Sequence, residues 1–294
     1  MKAKSDSRTP IQLREHYEVE KELANKLRQS HKEERRFLYG AVYNELFRRV
    51  THHPMLTRKI DDNENYAIVT AQIRLLKRFL RPDCTFLELG AGDCRLSFEV
   101  AKRVRNVYAV DVSSEITKHS SYPKNFSLIL SDGCHVPLPD HSVDIVYSNQ
   151  LIEHLHPEDA LEQTQSVYRV LTDGGIYICI TPNSLSGPHD VSRDFDSIAT
   201  GFHLKEYMNS ELDRLFRSVG FSKIRNCVGI KGRFIVTSLR PAIWCEAVLR
   251  RVPKVLAKRL AGCFPIRSVL GIRLLAQKTE FLSVSSSKVS FSRG

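Results

Sequence analysis

Cys84-Thr85-Phe86-Leu87-Glu88-Leu89-Gly90-Ala91-Gly92-Asp93-Cys94-Arg95 decides the fold: an apolar run passes into a glycine turn and then into the start of a helix. The run follows a Pro-Asp pair, Pro82 and Asp83, and its apolar continuity suits a strand covered on both faces. Gly90 and Gly92 let the backbone turn tightly and approach a ligand with no Cβ in the way. The combination reads as a nucleotide-type binding loop. A second apolar run, Val107-Tyr108-Ala109-Val110, ends in Asp111, about twenty residues past the first glycine, where a carboxylate sits beside a bound ribose in such units. Two adjacent parallel strands thus deliver a glycine turn and an acid to one edge.

Working outward, strand and helix alternate as a doubly wound sheet requires. Strands are expected near Thr85 to Leu89, Val107 to Val110, Phe126 to Leu130, Ile145 to Ser148 and Ile176 to Thr181, with a helix from about Pro157 to Leu171. A helix from Ser210 to Ser218 leads by Gly220 into a sixth strand, Ser222 to Val228. Three helical segments precede the glycine loop. Thr9-Pro10 caps one that reaches about Gln29, Ser30 with Glu33 offers a capping box for a second running to about Val50, and a third spans about Glu64 to Leu80. The third is expected to bury Ile68, Ile73, Leu75, Leu76, Phe79 and Leu80. The polar stretch from Pro182 to His203 is too long for a simple turn and is a candidate substrate loop.

The pattern E-L-G-A-G at Glu88 to Gly92 resembles the first motif of class I S-adenosylmethionine (AdoMet) dependent methyltransferases. The resemblance continues in order through Asp111, Asp132-Gly133, the strand Val143 to Ser148 and Leu171-Thr172-Asp173-Gly174-Gly175. It implies an α/β, doubly wound, seven-stranded Rossmann-like methyltransferase sheet with an N-terminal helical extension. Gly271 to Lys278 resembles the last strand of that fold, antiparallel to the rest. It also implies an AdoMet cofactor. Glu88, Gly90 and Gly92 shape the methionine end, Asp111 accepts from the ribose hydroxyls, Val112 flanks adenine, Asp132 and Gly133 read its amino edge, and Asn149 closes the cofactor set. Residues 1–60 are then a helical extension or lid, 61–280 the methyltransferase domain with a basic helical insertion at 235–265, and 281–294 a mobile tail.

Methyl transfer from a sulfonium is an in-line displacement, so alignment supplies much of the rate, and a base is needed only where the acceptor holds its proton. After the fourth strand, Gln150, Glu153 and His154 fall at spacings of three and four, on one face if the segment is helical. His154 is the first candidate base, His203 the second and His189 a weaker third; Glu153 completes the catalytic set, or else caps a helix while His154 packs. The stretch is similar to the E-x-x-E-H segment of ubiquinone-type O-methyltransferases and small-RNA 2′-O-methyltransferases, in which two acids, the adjacent histidine and a later one hold a divalent metal. Gln150 replaces the first acid, a poor exchange for a hard metal, and leaves Glu153, His154 and His203 as a reduced set. No metal is assigned. Thr181-Pro182-Asn183 and Gly201-Phe202-His203 resemble the branch that methylates small phenols, sugars and lipids.

Composition narrows the class. With 294 residues, 42% hydrophobic and 26% charged, the chain can bury a full core and lacks the bias of a disordered or fibrous protein. No apolar run approaches the roughly twenty residues of a bilayer span, and the first residues lack the apolar centre of a signal peptide, so a cytoplasmic location is expected. The 7 cysteines include no C-x-x-C pair, which argues against a disulfide framework or a zinc site. The net charge of +11 is uneven. Residues 1–60 carry 14 Lys+Arg against 8 Asp+Glu, residues 61–227 carry 17 against 23, and residues 228–294 carry 13 against 2.

The basic insertion reads as two amphipathic helices, with Trp244, Val248 and Val252 on one and Val255, Leu256, Leu260 and Phe264 on the next. Their apolar sides are expected to cover the sheet edge or pack on the N-terminal helices, ahead of contact with an anionic membrane surface. The expected function is AdoMet-dependent methylation of a small-molecule acceptor, at oxygen, under a lid of the N-terminal helices and the insertion. The alternatives are RNA methylation using the basic C-terminal region and a noncatalytic AdoMet-binding protein. Nucleic acid is the weaker partner, since no D-P-P-Y, N-P-P-Y or Pro-Cys pair supplies base-methylation chemistry.

Overall fold

In the computed structural model, residues 8–58, 62–113, 121–230 and 233–279 are described. The expected tail lies outside these residues. The chain opens with α1 (Pro10–Gln29), α2 (Lys32–Arg49), α3 (Pro54–Arg58) and α4 (Asp62–Leu76). Thr9 caps α1 in a capping box with Gln12 and a proline at the first turn. The start of α2 differs from expectation: His31 is the N-cap, and its N–H donates to Glu34 Oε2 at 3.2 Å. Ser30 instead closes α1, its hydroxyl donating to the Leu27 carbonyl at 3.0 Å. On α4, Leu75 and Leu76 are buried and Val69 and Ile73 partly so, while Ile68 is exposed rather than covered.

The sheet comprises β1 (Thr85–Leu89), β2 (Asn106–Asp111), β3 (Phe126–Leu130), β4 (Val143–Asn149), β5 (Leu171–Thr181), β6 (Lys223–Ile230), β7 (Arg233–Ser238) and β8 (Ile272–Gln277). Their order is β3-β2-β1-β4-β5-β8-β6-β7. The first five strands are parallel, and β8 is antiparallel to both β5 and β6. The fold class expected from the sequence holds, with β7 as one strand more: residues 233–238 extend the sheet as an edge hairpin with β6.

Connecting helices are α5 (Arg95–Ala101), α6 (Pro157–Val170), α7 (Asn209–Val219), α8 (Arg240–Leu249), α9 (Lys254–Gly262) and α10 (Ile266–Leu270). Alternate side chains of each strand enter different layers. Phe86, Ala109, Ile145 and Tyr147 pack with α4 and α5 on one face, and Leu87, Leu89, Val110 and Val146 pack with α2 and α6 on the other. The N-terminal helices are fastened by a buried ion pair, Arg35 Nε to Asp159 Oδ2 at 2.7 Å, with the Tyr39 hydroxyl donating to the same oxygen at 2.7 Å. Because β1 has β2 on one side and β4 on the other, the chain reverses direction across the sheet there. The crevice at the carboxyl ends of these strands is the place a ligand takes in such a fold.

Candidate active site

The glycine loop has the backbone its sequence requires, with φ of +66° at Gly90 and +52° at Gly92, a region that strains any residue with a Cβ. Asp111, at the end of β2, braces this turn. Its Oδ2 accepts from the Gly92 N–H at 2.8 Å and its Oδ1 from the Ser113 N–H at 2.9 Å. Burial lifts the Asp111 carboxyl above its ordinary value, against the pull of the Ser113, Gly92 and Val112 N–H groups. Each oxygen accepts one backbone bond and keeps a second lone pair for a ligand hydroxyl. Glu88 lies beneath the loop, its Oε2 accepting from the Ser97 hydroxyl at 2.6 Å, which ties β1 to the first turn of α5. Burial pushes its carboxyl up to about 8, with the Ser97 bond opposing.

A cavity of about 1170 Å³ opens over this edge. Gly90, Gly92, Asp111, Val112 and Gly133 line one end, and His154, His203 and Phe202 line another part of its wall. Helix α2 comes so close to Val112 that a Cβ on Gly40 would stand 2.9 Å from the Val112 carbonyl oxygen. Asp132 is not in the wall, although its neighbours Ser131 and Gly133 are. Its Oδ1 accepts from the Cys134 and His135 N–H groups at 2.9 and 2.7 Å, shaping the turn that presents Gly133. Asn149 ends β4 half-buried, and the next residue, Gln150, takes φ +57° and enters the wall in its place.

The segment after β4 is a short 3-10 turn, Ile152–His154, rather than a regular helix. Gln150, Glu153 and His154 therefore do not share a face: Gln150 is exposed, His154 half-buried and Glu153 wholly buried. Glu153, His154 and His203 nevertheless converge, their ligand atoms within 4.8 Å of one another. The His154 Nδ1–H donates to the Phe202 carbonyl at 3.1 Å, which leaves Nε2 with its lone pair. Burial and the neighbouring His203 pull this imidazole down to about 3, so it is neutral across the physiological range. His203 Nδ1 meets Glu206 Oε1 at 2.7 Å. Burial lowers His203, but the Glu206 bond and the charges of Glu153 and Asp190 outweigh it and hold the ring above its ordinary value. Glu153 Oε2 accepts from the Thr181 hydroxyl at 2.7 Å, while its Oε1 is buried with no hydrogen-bond partner among the described residues. Burial pushes this carboxyl up to about 7. His189 lines the cavity too, but its Nε2 is engaged by the Asn183 carbonyl and the Ser186 hydroxyl at 3.1 and 3.0 Å.

Sequence reasoning did not single out the residues that the N-terminal helices bring to the same wall. His16, Glu20, Tyr39 and Tyr43 all line the cavity, as does His53 after α2. Their signal was present as two i, i+4 pairs, one on each helix. Glu20 joins α1 to the long loop: Oε2 pairs with His16 Nε2 at 2.8 Å and Oε1 accepts from the Phe202 N–H at 2.8 Å. Arg28 donates to the Thr200 and Gly201 carbonyls at 2.9 and 2.7 Å, so α1 and the loop form one wall. His16, Glu20 and His53 also lie within metal-ligating reach of one another, but both ring nitrogens of His16 are engaged, Nδ1 by the Arg8 guanidinium and Nε2 by Glu20. No described residue after His203 lines the cavity, which places the basic insertion outside it.

Residues 87–179 match the family model described as a methyltransferase domain. A Mycobacterium tuberculosis protein named "Probable S-adenosylmethionine-dependent methyltransferase" is 32% identical over 171 residues, covering 56% of this chain and 59% of the relative. A similarly named protein of Mycolicibacterium smegmatis is 30% identical over 146 residues, covering 49% of this chain and 54% of its own length. The matches thus span little more than half the length of these curated relatives. Among solved structures, Haemonchus contortus phosphoethanolamine N-methyltransferase 1, in complex with phosphoethanolamine and S-adenosylhomocysteine, superposes with a TM-score of 0.50 at 14% identity, over 72% of this chain and 43% of that one. At that identity the likeness speaks for the fold alone. The glycine turn, the braced acid, the strand order and the match agree: residues 87–179 are similar to a methyltransferase domain, set in a sheet of the Rossmann-like methyltransferase fold.

Proposed function

We propose that this chain transfers a methyl group from AdoMet to a small-molecule acceptor, at oxygen. The observation that carries the reading is one cavity that joins the glycine loop and Asp111 to Glu153, His154 and His203. At about 1170 Å³ it exceeds the roughly 300–1,000 Å³ of a single-ligand site, which suits cofactor and acceptor together. In this reading the lone pairs left on Asp111 take the ribose hydroxyls, Val112 and the turn at Asp132-Gly133 flank adenine, and Glu88 fixes the loop from below. Helices α1 and α2 act as the lid over the acceptor. The basic C-terminal region lies outside the wall, which favours a small acceptor over RNA.

In the transfer itself, the in-line geometry set by the two ends of the cavity supplies the alignment. His154 receives the acceptor's proton at Nε2, its tautomer fixed by the Phe202 carbonyl. In the same cluster, the Glu153 carboxyl is the group that would balance the positive charge gained by the ring, while His203 opposes it.

A second reading has its own observation in the partnerless buried Oε1 of Glu153. Two imidazoles and a carboxylate, each held by a further hydrogen bond, suit a divalent transition metal better than magnesium. Such an ion supplies Lewis acidity that lowers the pKa of an acceptor hydroxyl. Gln150 lines the same cavity but offers only a neutral amide, which leaves Glu153, His154 and His203 as the three strong protein donors.

Incubating the protein with methyl-labelled AdoMet and a metabolite extract, with and without chelator, tests both readings. A labelled oxygen-methylated small molecule is expected by mass spectrometry. Loss of product in chelator selects the metal-held version, and label found only in RNA, or nowhere, overturns the small-molecule reading.

A further inference from the structure

Helices α8 to α10 do not use their largest apolar side chains to cover the sheet. Their shared core is small, built from Leu249, Ala257, Ala261 and Leu270, with Val252 and Leu260 packed against it. Trp244, Val255 and Phe264 are 71%, 74% and 75% exposed, and Val248 and Leu256 are exposed beside them. The cations Arg250, Arg251, Lys254, Lys258 and Arg259 are exposed in the same stretch. Between Ser238 and Lys278 the only carboxylate is Glu246. That one is buried and spent on structure: it accepts from the Asn183 side chain at 3.0 Å and from the Asn209 and Ser210 N–H groups at 2.6 and 3.0 Å. The outward residues of this stretch are consequently cationic and apolar, with no acid among them.

We propose that this surface docks the protein onto an anionic lipid bilayer. A bilayer interface accepts both kinds of side chain at once: aromatic and aliphatic groups enter the headgroup region while Lys and Arg meet the anionic lipid phosphates. RNA would reward the cations and stack on Trp244 or Phe264, but it gives no use to exposed Val248, Val255 and Leu256. A second copy of the chain would bring two acid-free cationic faces together. No described helix is long and apolar enough to cross a membrane, so the contact is peripheral. The face is coupled to the catalytic side of the molecule, because Leu185 packs into the same small core and the loop it belongs to goes on to line the cavity.

The chain has a single tryptophan, Trp244, and it is exposed on this surface. Its emission reports docking directly and needs neither cofactor nor acceptor, so the outcome is separate from that of the methyl-transfer reading. Vesicles of phosphatidylcholine with a third phosphatidylglycerol should shift the emission to the blue and sediment the protein at low salt; pure phosphatidylcholine should do so far less. Each cation contributes about fivefold to affinity, so Arg250→Gln, Lys254→Gln and Lys258→Gln together should weaken vesicle binding by roughly a hundredfold, and added salt should weaken the wild type. Phe264→Ser is a second, independent variant, expected to weaken the apolar part of the binding while keeping the salt dependence. Vesicle binding that is absent, or equal on neutral and anionic lipid, overturns the proposal. So does a blue shift traced by sedimentation to self-association, or RNA binding without vesicle binding.

Discussion

Under the proposed function, replacing Asp111 by alanine removes two separate contributions. The first is to the ligand: each carboxylate oxygen already accepts one backbone N–H and has one lone pair left for a ribose hydroxyl. Two hydrogen bonds to a charged acceptor contribute about 1.5–3 kcal/mol each, so AdoMet affinity should fall by roughly 3–6 kcal/mol, or between about a hundred- and ten-thousandfold. The second is to the loop. The Gly92 and Ser113 N–H groups lose their acceptor, and because the turn borders an open cavity where water can replace it, the cost to folding should be about 1–3 kcal/mol in all. Asp111→Asn separates the two effects, since its single carbonyl oxygen can serve only one of the two N–H groups while its amide opposes the other. Affinities measured by calorimetry with S-adenosylhomocysteine should therefore run wild type, Asn, Ala, with urea unfolding run alongside. An alanine variant that is folded and binds within threefold of wild type would refute the assignment of Asp111 to the ribose and weaken every other position read from the same motif.

The remaining expectations are narrower. His154→Ala should lower turnover by about a hundred- to ten-thousandfold with AdoMet affinity within threefold of wild type, measured by product formation and calorimetry; unchanged turnover makes the ring a packing residue. Asp159→Ala should destabilise the fold by about 2–4 kcal/mol in urea unfolding, because it leaves the buried Arg35 guanidinium with only the more exposed Glu158 and the Ser30 carbonyl, and a loss under 1 kcal/mol would mean that α2 does not depend on the pair. Glu88 makes stability pH-dependent. Its carboxyl titrates near 4.5 when unfolded and near 8 when folded, so between those values the folded chain keeps a proton that the unfolded chain has released. Stability from this group is full below about pH 4.5 and declines as pH rises toward 8, by up to about 3 kcal/mol at pH 7. Glu88→Gln should flatten that decline in denaturation midpoints taken at pH 5 and pH 8, and an unchanged slope would show that Glu88 is ionised in the fold.

The positions of the first five strands were legible because each carries an apolar run, even β3, which is only partly covered, and the glycine loop because its backbone needs φ values that few residues tolerate. Where the sequence misled, it offered two physically equivalent choices. Ser30 with Glu33 and His31 with Glu34 are both capping boxes in adjacent registers; α2 takes the second, and Ser30 is used by the helix before it. Strand β7 carried no buried run to mark it. Its residues alternate between exposed and half-buried along an open edge, which makes it indistinguishable from the beginning of an insertion. At the site, the meeting of His154 with His203 rested on a resemblance, since no local periodicity links a 3-10 turn to a residue in a distant loop. The cavity face of α1 was hidden for a related reason. His16 and Glu20 look like a solvated helix face until the loop bearing Phe202 covers them.

The basic helices show most clearly what hydrophobic spacing alone leaves open. Trp244 and Val248 recur at i, i+4, which marks one side of a helix as apolar but carries no information about what that side meets. Packing against the rest of the molecule is the ordinary outcome, and the sequence reading took it. In the structure the inward side of α9 is made by Ala257 and Ala261, whose small side chains let the helix lie close to the turn at Ser184 to Ser186. Once small residues have taken the inward positions, the large ones on the remaining surface have nowhere to go but outward. The same logic applies to charge. An acid-free run of cations is unfavourable on a free surface through self-repulsion, and the one acid available, Glu246, is turned inward to hold Asn183 and Asn209 instead of neutralising it. Large apolar groups facing out and an uncompensated positive field beside them are each tolerable alone; together they define a surface shaped by something that rewards both.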